Sequence, residues 1–423
     1  MPKNSAYDFD VIVIGGGPSG MMASGRAGEL GKKVLLLEKN KELGDKLKIT
    51  GGGRCNITNA EFDSRVLLKN YDSAEQFLYS PFAQFGVKET FDFFEKRGLP
   101  LVVQAHKRAF PQTEKASDVF VVLEKYMQAG KVVVKTNAGV SGILKAKNPP
   151  LSEASKIIGV KVGNQVYTAS SYILATGGTS HPEIGSTGDG FNWLSDLGHS
   201  VQAPTPNVVP LAVKEAWVKS LSGISLSFMK ITFYANGVKK FSKTGKLLFT
   251  HFGLSGPLIL NLAGKVGDLL HSGEVTAKID AYPDTNLADL ENKIIKNFDA
   301  NKNKMFKNVL DEIVPHGTSK AILPLLKLTD PDVKVHSVSK EVRKNLVQLL
   351  KALPVTIEGL MGFDRAVVAD GGVTLTEIDM KTMRSKLYSN LFVTGDLLHI
   401  RRPSGGFSLQ LCWTTGFIAG TNA

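Results

Sequence analysis

The chain has 423 residues, 43% of them apolar and 21% charged, enough for two to three domains of about 100–200 residues and a large core. That composition excludes a disordered chain, a collagen-like repeat and a disulfide-stapled scaffold, and the two cysteines, Cys55 and Cys412, point to a reducing compartment. Fifty-one basic side chains against 39 acidic ones give a formal charge of +12, yet only ten of the basic residues are arginine. The lysines are scattered, with local excess at 32–48, 239–246 and 293–307. This reads as a lysine-rich solvated surface rather than a nucleic-acid footprint. No run of about 18 apolar residues occurs, and the first ten residues lack the apolar stretch of a secretory signal, so a cytoplasmic protein without a membrane span is expected.

Residues 9–14, Phe-Asp-Val-Ile-Val-Ile, make an apolar, β-branched run of strand length. It leads into Gly15-Gly-Gly-Pro-Ser-Gly20 and a small-residue helix from Met21 to Leu30, closed by Gly31. Lys33-Val-Leu-Leu-Leu-Glu38 predicts a second strand, completing a βαβ unit in about 30 residues. From 74 to 130 the pattern is helical, with Val87, Phe91 and Phe94 spaced along one face before Gly98. Ser117 is a candidate cap for a helix closed by Gly130. Strand-like segments return at 131–135, 156–162 and 172–175. Pro204, Pro206 and Pro210 mark a change of texture, and residues 208–282 alternate in short strands broken by glycines, as in a small antiparallel sheet or barrel. Residues 285–352 read as almost wholly helical, with Leu287, Leu290, Ile294 and Ile295 on an apolar face. β-type texture resumes after Pro354 and ends in Asn390-Leu-Phe-Val-Thr-Gly395 and a helix from Gly405 to Gly420. The expected architecture is α/β. A nucleotide-binding domain drawn from 1–203 and 354–423 is interrupted by a β-barrel-like insertion at 204–284 and a helical one at 285–353.

Gly15-x-Gly17-x-x-Gly20 gains its meaning from context, because it follows a strand, opens a helix and has Glu38 at the end of the next strand. Gly15 permits the tight turn, Gly17 lets backbone approach a pyrophosphate, and Gly20 allows helix to pack on strand. The helix start offers N–H groups and a positive dipole end to phosphates. Glu38 is placed to accept from ribose hydroxyls, which disfavours a 2′-phosphate and leaves NAD or FAD. Gly51-Gly-Gly-Arg-Cys-Asn56 leaves backbone free to line a flat ligand, with Arg54 and Asn56 as donors. Tyr172-Ile-Leu-Ala-Thr-Gly-Gly178 and Leu391-Phe-Val-Thr-Gly-Asp396 are strands ending in small-residue turns fit for close approach, and the Asp396 carboxylate suits ribityl hydroxyls.

Together these pieces resemble a flavoprotein of the glutathione-reductase-like fold, and more narrowly the BaiN-like family of FAD-dependent oxidoreductases. The resemblance covers nearly the whole chain and includes residues 175–190, Leu248-Phe-Thr-His-Phe-Gly-Leu-Ser-Gly-Pro257, Thr382-Met-Arg-Ser-Lys386 and Ser404-Gly-Gly-Phe-Ser-Leu-Gln410. It implies a Rossmann-like FAD-binding domain with an inserted β-barrel-like domain and a helical sub-insertion. The FAD contacts it implies are Gly15, Gly17, Pro18, Ser19, Gly20, Glu38, Lys39, Lys46, Gly52, Gly53, Arg54, Cys55, Asn56, Val140, Ala175, Thr176, Gly177, Gly395, Asp396, Gly405, Gly406 and Phe407. One stretch departs from the family pattern. Where the family carries an acid-rich run, this chain has Asp396-Leu-Leu-His-Ile-Arg-Arg-Pro-Ser404, with His399, Arg401 and Arg402 in place of acids.

The catalytic candidates are therefore Arg401 and Arg402, to neutralise reduced flavin or clamp an anionic substrate, His399 as a proton donor, and His251 in the shared 248–257 motif. His181 has the same standing as His251. Cys55 lacks a Cys-x-x-Cys partner and reads as a packing residue; Asp189 reads as a turn residue, and no cluster has zinc-like spacing. The expected function is FAD-dependent oxidoreduction, with hydride passing through flavin N5. A single dinucleotide loop leaves NADH or NADPH to dock transiently, and the resemblance favours reduction of an activated C=C bond in a hydrophobic small molecule. Alternatives are a flavin oxidase of small amines using dioxygen, a flavin-dependent RNA-modifying enzyme, and a flavin-binding sensor.

Overall fold

The computed structural model describes residues 7–146, 155–328, 330 and 332–423. Residues 1–6, part of the amino-terminal reading, and 329 and 331 of the helical region lie outside the described residues. The chain divides into two compact units, Met1–Thr205 with Val367–Ala423, and Pro206–Ala366.

In the first unit, β1 (Phe9–Ile14), β2 (Val34–Leu37), β3 (Val133–Lys135), β4 (Ala169–Leu174) and β5 (Leu391–Val393) form a parallel sheet in the order β5-β4-β1-β2-β3. The near-continuous apolar runs of β1 and β2 are buried, as a parallel sheet covered on both faces requires. The helix α1 (Pro18–Glu29) follows β1, three residues earlier than the sequence suggested, because proline fits the first turn. Its small residues serve packing. A Cβ at Gly25 would lie 2.2 Å from the Tyr126 ring of α2 (Ala116–Ala129). Cβ atoms at Gly416 and Gly420 of α3 (Phe407–Asn422) would lie 2.4 Å from the Ser19 and Ala23 carbonyl oxygens of α1. α1 and α3 thus approach backbone to backbone, and α1 takes the Tyr126 ring against Gly25, where bulkier side chains would hold the helices apart.

The stretch 74–130 is not helical throughout. Helices Glu75–Gln84 and Val87–Glu95 form as the spacing predicts, but Leu101–Gln104 and Arg108–Pro111 pair as antiparallel strands, with Thr58–Asn59 beside them. Four-residue strands lie below the length at which alternation can be told from helical period. Lys115, not Ser117, precedes α2, while Gly130 closes it as expected.

The second unit holds a closed barrel of six strands, Leu211–Val213, Ser225–Ala235, Val238–Thr250, Gly253–Ser255, Val275–Asp280 and Leu353–Leu360. The chain returns to the first unit at Val367 rather than at 354, because Leu353–Leu360 closes the barrel by pairing with both Leu211–Val213 and Val275–Asp280. Between the fifth and sixth strands lie four helices, Leu287–Ala300, Phe306–Ile313, Ser319–Leu325 and Lys340–Lys351. In the first of them the buried face is Leu290, Ile294 and Phe298, while Leu287 is exposed. Among the described residues no helix is long and apolar enough to cross a membrane.

Candidate functional site

A cavity opens in the first unit at the carboxyl ends of β1, β2 and β4, where the sheet order reverses. Open parallel sheets bind ligands at such a switch point. Gly15 turns the chain there at φ +106°, and a Cβ on it would lie 2.5 Å from the Ala175 carbonyl oxygen. Gly20 sits so close to the turn that a Cβ would lie 1.9 Å from the Gly15 carbonyl oxygen. Gly17 differs: it lines the cavity, and a Cβ on it would meet nothing within 4 Å. It also begins α1 without any side-chain cap, with Pro18 next. The first-turn N–H groups of α1 are therefore free to serve an anion.

Glu38 is buried on the cavity wall with both carboxylate oxygens engaged. Gly16 N–H donates to one at 2.6 Å and Asn40 N–H to the other at 2.8 Å. Lys39 reaches across the mouth to Asp189 at 2.8 Å. Burial pulls the Asp189 carboxyl upward, but hydrogen bonds from Lys39 and Thr187 outweigh it and hold the group below its ordinary value. Asp189 is thus the first residue of the helix Asp189–Asp196 and a cavity residue, not a loose turn. Thr176 lines the cavity with its hydroxyl buried and without a hydrogen-bond partner.

Lys46, Asp396 and Arg402 form a charged cluster at the same cavity. Lys46 donates to Ser180 Oγ and lies 3.9 Å from Asp396 Oδ2. Burial lowers the Lys46 ammonium pKa, and the Asp396 charge opposes it. Arg402 is buried, binds Asp396 Oδ1, and donates to the Ile400 carbonyl at 2.6 Å and Ser408 Oγ at 3.0 Å. Its donors are committed within the chain, so the geometry makes it a support for Asp396.

Of the residues expected to hold the cofactor, Gly15, Gly17, Pro18, Ser19, Glu38, Lys39, Lys46, Val140, Ala175, Thr176, Gly177 and Asp396 line this cavity. Gly20, Gly395, Gly405, Gly406 and Phe407 are not among the residues lining it. Gly406, at φ +100°, would bring a Cβ within 2.2 Å of the Thr58 backbone. With its amide oriented to satisfy all its neighbours, Asn56 pins that glycine, its oxygen accepting from Gly406 N–H at 3.0 Å and its nitrogen donating to the Ala109 and Thr58 carbonyls. Gly52 and Gly53 are exposed, and Arg54 pairs with Glu114 at 3.2 Å over the Phe110 ring. Cys55 packs among Met21, Leu47 and Trp413, its thiol pushed up to about 12 by burial.

Of the catalytic candidates, His399 is partly buried, with its Nδ1 buried and without a partner. Arg401 is half-exposed and 3.4 Å from Asp370, and His251 belongs to the second unit, in the turn between two barrel strands, its ring 4.9 Å from that of Phe252. His181 pairs with Glu183 at 2.8 Å. Sequence reasoning missed Asn40, Asp45, Trp193, Ser408 and Cys412, all on the cavity wall. Asp189 and its glycine run carried the only visible signal for that wall; Cys412, pushed up to about 12 by burial, carried none.

The HI0933-like protein Rossmann domain family matches residues 9–422. This chain belongs to that family. Among relatives, the HI0933-like chain is 28% identical over 418 residues to a 3-dehydro-bile acid delta(4,6)-reductase of Clostridium scindens, covering 97% of this chain and 98% of the relative. It is 26% identical over 412 residues to a ribosomal RNA dihydrouridine synthase of Escherichia coli, covering 97% and 96%. A solved 3-ketosteroid delta1-dehydrogenase from Sterolibacterium denitrificans shares the fold, with a TM-score of 0.55 at 13% identity over 97% of this chain and 98% of that one.

The cavity fits the group this family implies. Gly17 leaves room a side chain would fill, α1 presents an uncapped start, Glu38 offers a carboxylate, and Thr176 an unpartnered hydroxyl. That set suits the diphosphate and hydroxyl groups of FAD. The HI0933-like chain is an FAD-dependent oxidoreductase.

Proposed function

We propose that this enzyme reduces a carbon–carbon double bond conjugated to a carbonyl group, in a hydrophobic small molecule, with NADH or NADPH as electron donor. The observation that carries the reading is the match over nearly the whole chain to a 3-dehydro-bile acid delta(4,6)-reductase. The match of similar extent to a dihydrouridine synthase is compatible with it, because a dihydro product is what reduction of a double bond yields. Bound FAD supplies the hydride-transfer chemistry. The chain's own residues then do the holding. The start of α1 would hold the diphosphate, Glu38 would accept from ribose hydroxyls, and Asp396, braced by Arg402, would accept from the ribityl chain.

A second reading, reduction of a pyrimidine base in RNA, is favoured by the second relative. Anaerobic mixing of FAD-loaded protein with NADH or NADPH is expected to bleach the flavin. A hydrophobic cyclic enone is then expected to restore the colour. Recolouring by uridine-containing RNA alone selects the second reading, and recolouring by neither overturns both.

A further inference from the structure

The lysine excess at 239–246 is not absorbed by the cavity; it belongs to the barrel of the second unit. Strand register across Val275–Asp280, Ser225–Ala235 and Val238–Thr250 sets out three rows of side chains on one face. They are Thr276, Tyr234 and Lys239; Lys278, Thr232 and Ser242; Asp280, Lys230 and Thr244. The alternate residues of the middle strand, Ile231, Phe233 and Ala235, are buried in the barrel core, so the rows face away from it. Lys239, Lys278 and Thr244 are exposed and the rest partly so. The single carboxylate of the grid, Asp280, is already held by Lys351 at 2.7 Å, which leaves the face positive. Lys278 lies 5.3 Å from the Tyr234 ring centre. The sequence also shows a lysine excess at 293–307, but there Lys302, Lys304 and Lys307 pair with Asp299, Glu312 and Asp332.

We propose that this outward face of the barrel sheet binds RNA. Lysines neutralise phosphates and release their counterions, hydroxyl side chains bond phosphate and sugar oxygens, and an aromatic ring offers a stacking platform. An anionic bilayer fits less well, because surface binding there needs an apolar face that inserts, and the nine grid positions carry polar side chains and Tyr234, with the exposed Phe228 and Val238 of the same strands outside the grid. The inference goes beyond the proposed reaction and holds whichever double bond is reduced.

The test uses full-length, FAD-loaded protein titrated with a labelled, uridine-rich single-stranded RNA over a range of salt. The combined change Lys230→Ala, Lys239→Ala, Lys278→Ala is expected to weaken binding at least ~10-fold at low salt. It is expected to reduce the slope of log K against log salt by about 2, at about 0.7 for each phosphate no longer neutralised. Lys239→Glu alone, at an exposed position, is expected to weaken binding in the same direction, and an unchanged unfolding transition of the second unit in calorimetry reports that each variant is folded. Lys302→Ala, Lys304→Ala, Lys307→Ala is expected to change neither affinity nor slope. Absence of binding at low salt, an unchanged slope in the triple variant, or an equal loss in the helical control overturns the proposal. So does lysine-dependent binding to phosphatidylserine vesicles without binding to RNA. Failure of flavin reduction with RNA binding intact defeats the proposed reaction and leaves this face standing.

Discussion

The three glycines of the Gly15-x-Gly17-x-x-Gly20 turn look alike in sequence, yet the structure gives them different duties that mutation can separate. A Cβ at Gly20 collides with the Gly15 carbonyl, whereas one at Gly17 meets only open cavity. Gly20→Ala is therefore expected to lower stability by about 1–3 kcal/mol, the usual range for overpacking, seen as a lower thermal midpoint even without FAD. Gly17→Ala is expected to leave the midpoint of the FAD-free protein unchanged and to abolish tight FAD binding in a fluorescence titration. At Glu38 both oxygens accept backbone N–H groups, so Glu38→Gln turns one acceptor into a donor facing a donor. Losing a charge-assisted bond within the protein is expected to lower stability by about 1.5–3 kcal/mol, seen as a lower thermal midpoint, and to weaken FAD binding in the same titration.

At the scale of elements, a hydrogen-bonded lock around the buried His199 ties together two segments that the sequence keeps far apart, 199–200 and 377–385. His199 Nδ1 lies 2.7 Å from Glu377 Oε2, and its Nε2 lies 2.9 Å from Ser385 Oγ. Ser200 N–H also donates to Glu377. Burial pulls the Glu377 carboxyl upward, but the bonds from Ser200 and His199 outweigh it and hold the group below its ordinary 4.5. A depressed carboxylate stabilises the fold above that ordinary value and loses its contribution as pH falls through the folded one. Urea unfolding at stepped pH is expected to show stability falling on the acid side, and Glu377→Gln is expected to flatten that fall. Ser385 lies within the 382–386 motif used for the resemblance, but its pairing with His199, 186 residues away, left no trace in local pattern. The strands at 101–111 escaped notice for the related reason that short strands are stabilised by their partners more than by their own residues.

In the molecule as a whole, each unit has a large core of its own, one around β1, β4 and β5, the other inside the barrel and under its helices. The FAD cavity is lined entirely by residues of the first unit. Calorimetry is expected to resolve two transitions, and saturating FAD at about 100 times its Kd is expected to add about 2.7 kcal/mol to one of them alone. A single transition raised as a block by FAD would contradict this. The sequence by itself determined the dinucleotide turn, the strand before it, the acid after it and the family, because these rest on residue types at short fixed spacings. Only the tertiary structure decided that Arg402 supports Asp396, that Asp189 and Cys412 reach the cavity wall, and that the last barrel strand arrives after the helices. Arg402 and Asp396 are only six residues apart, but their pairing depends on the loop conformation; the other outcomes depend on contacts between residues far apart in the chain, which folding creates and local pattern does not encode.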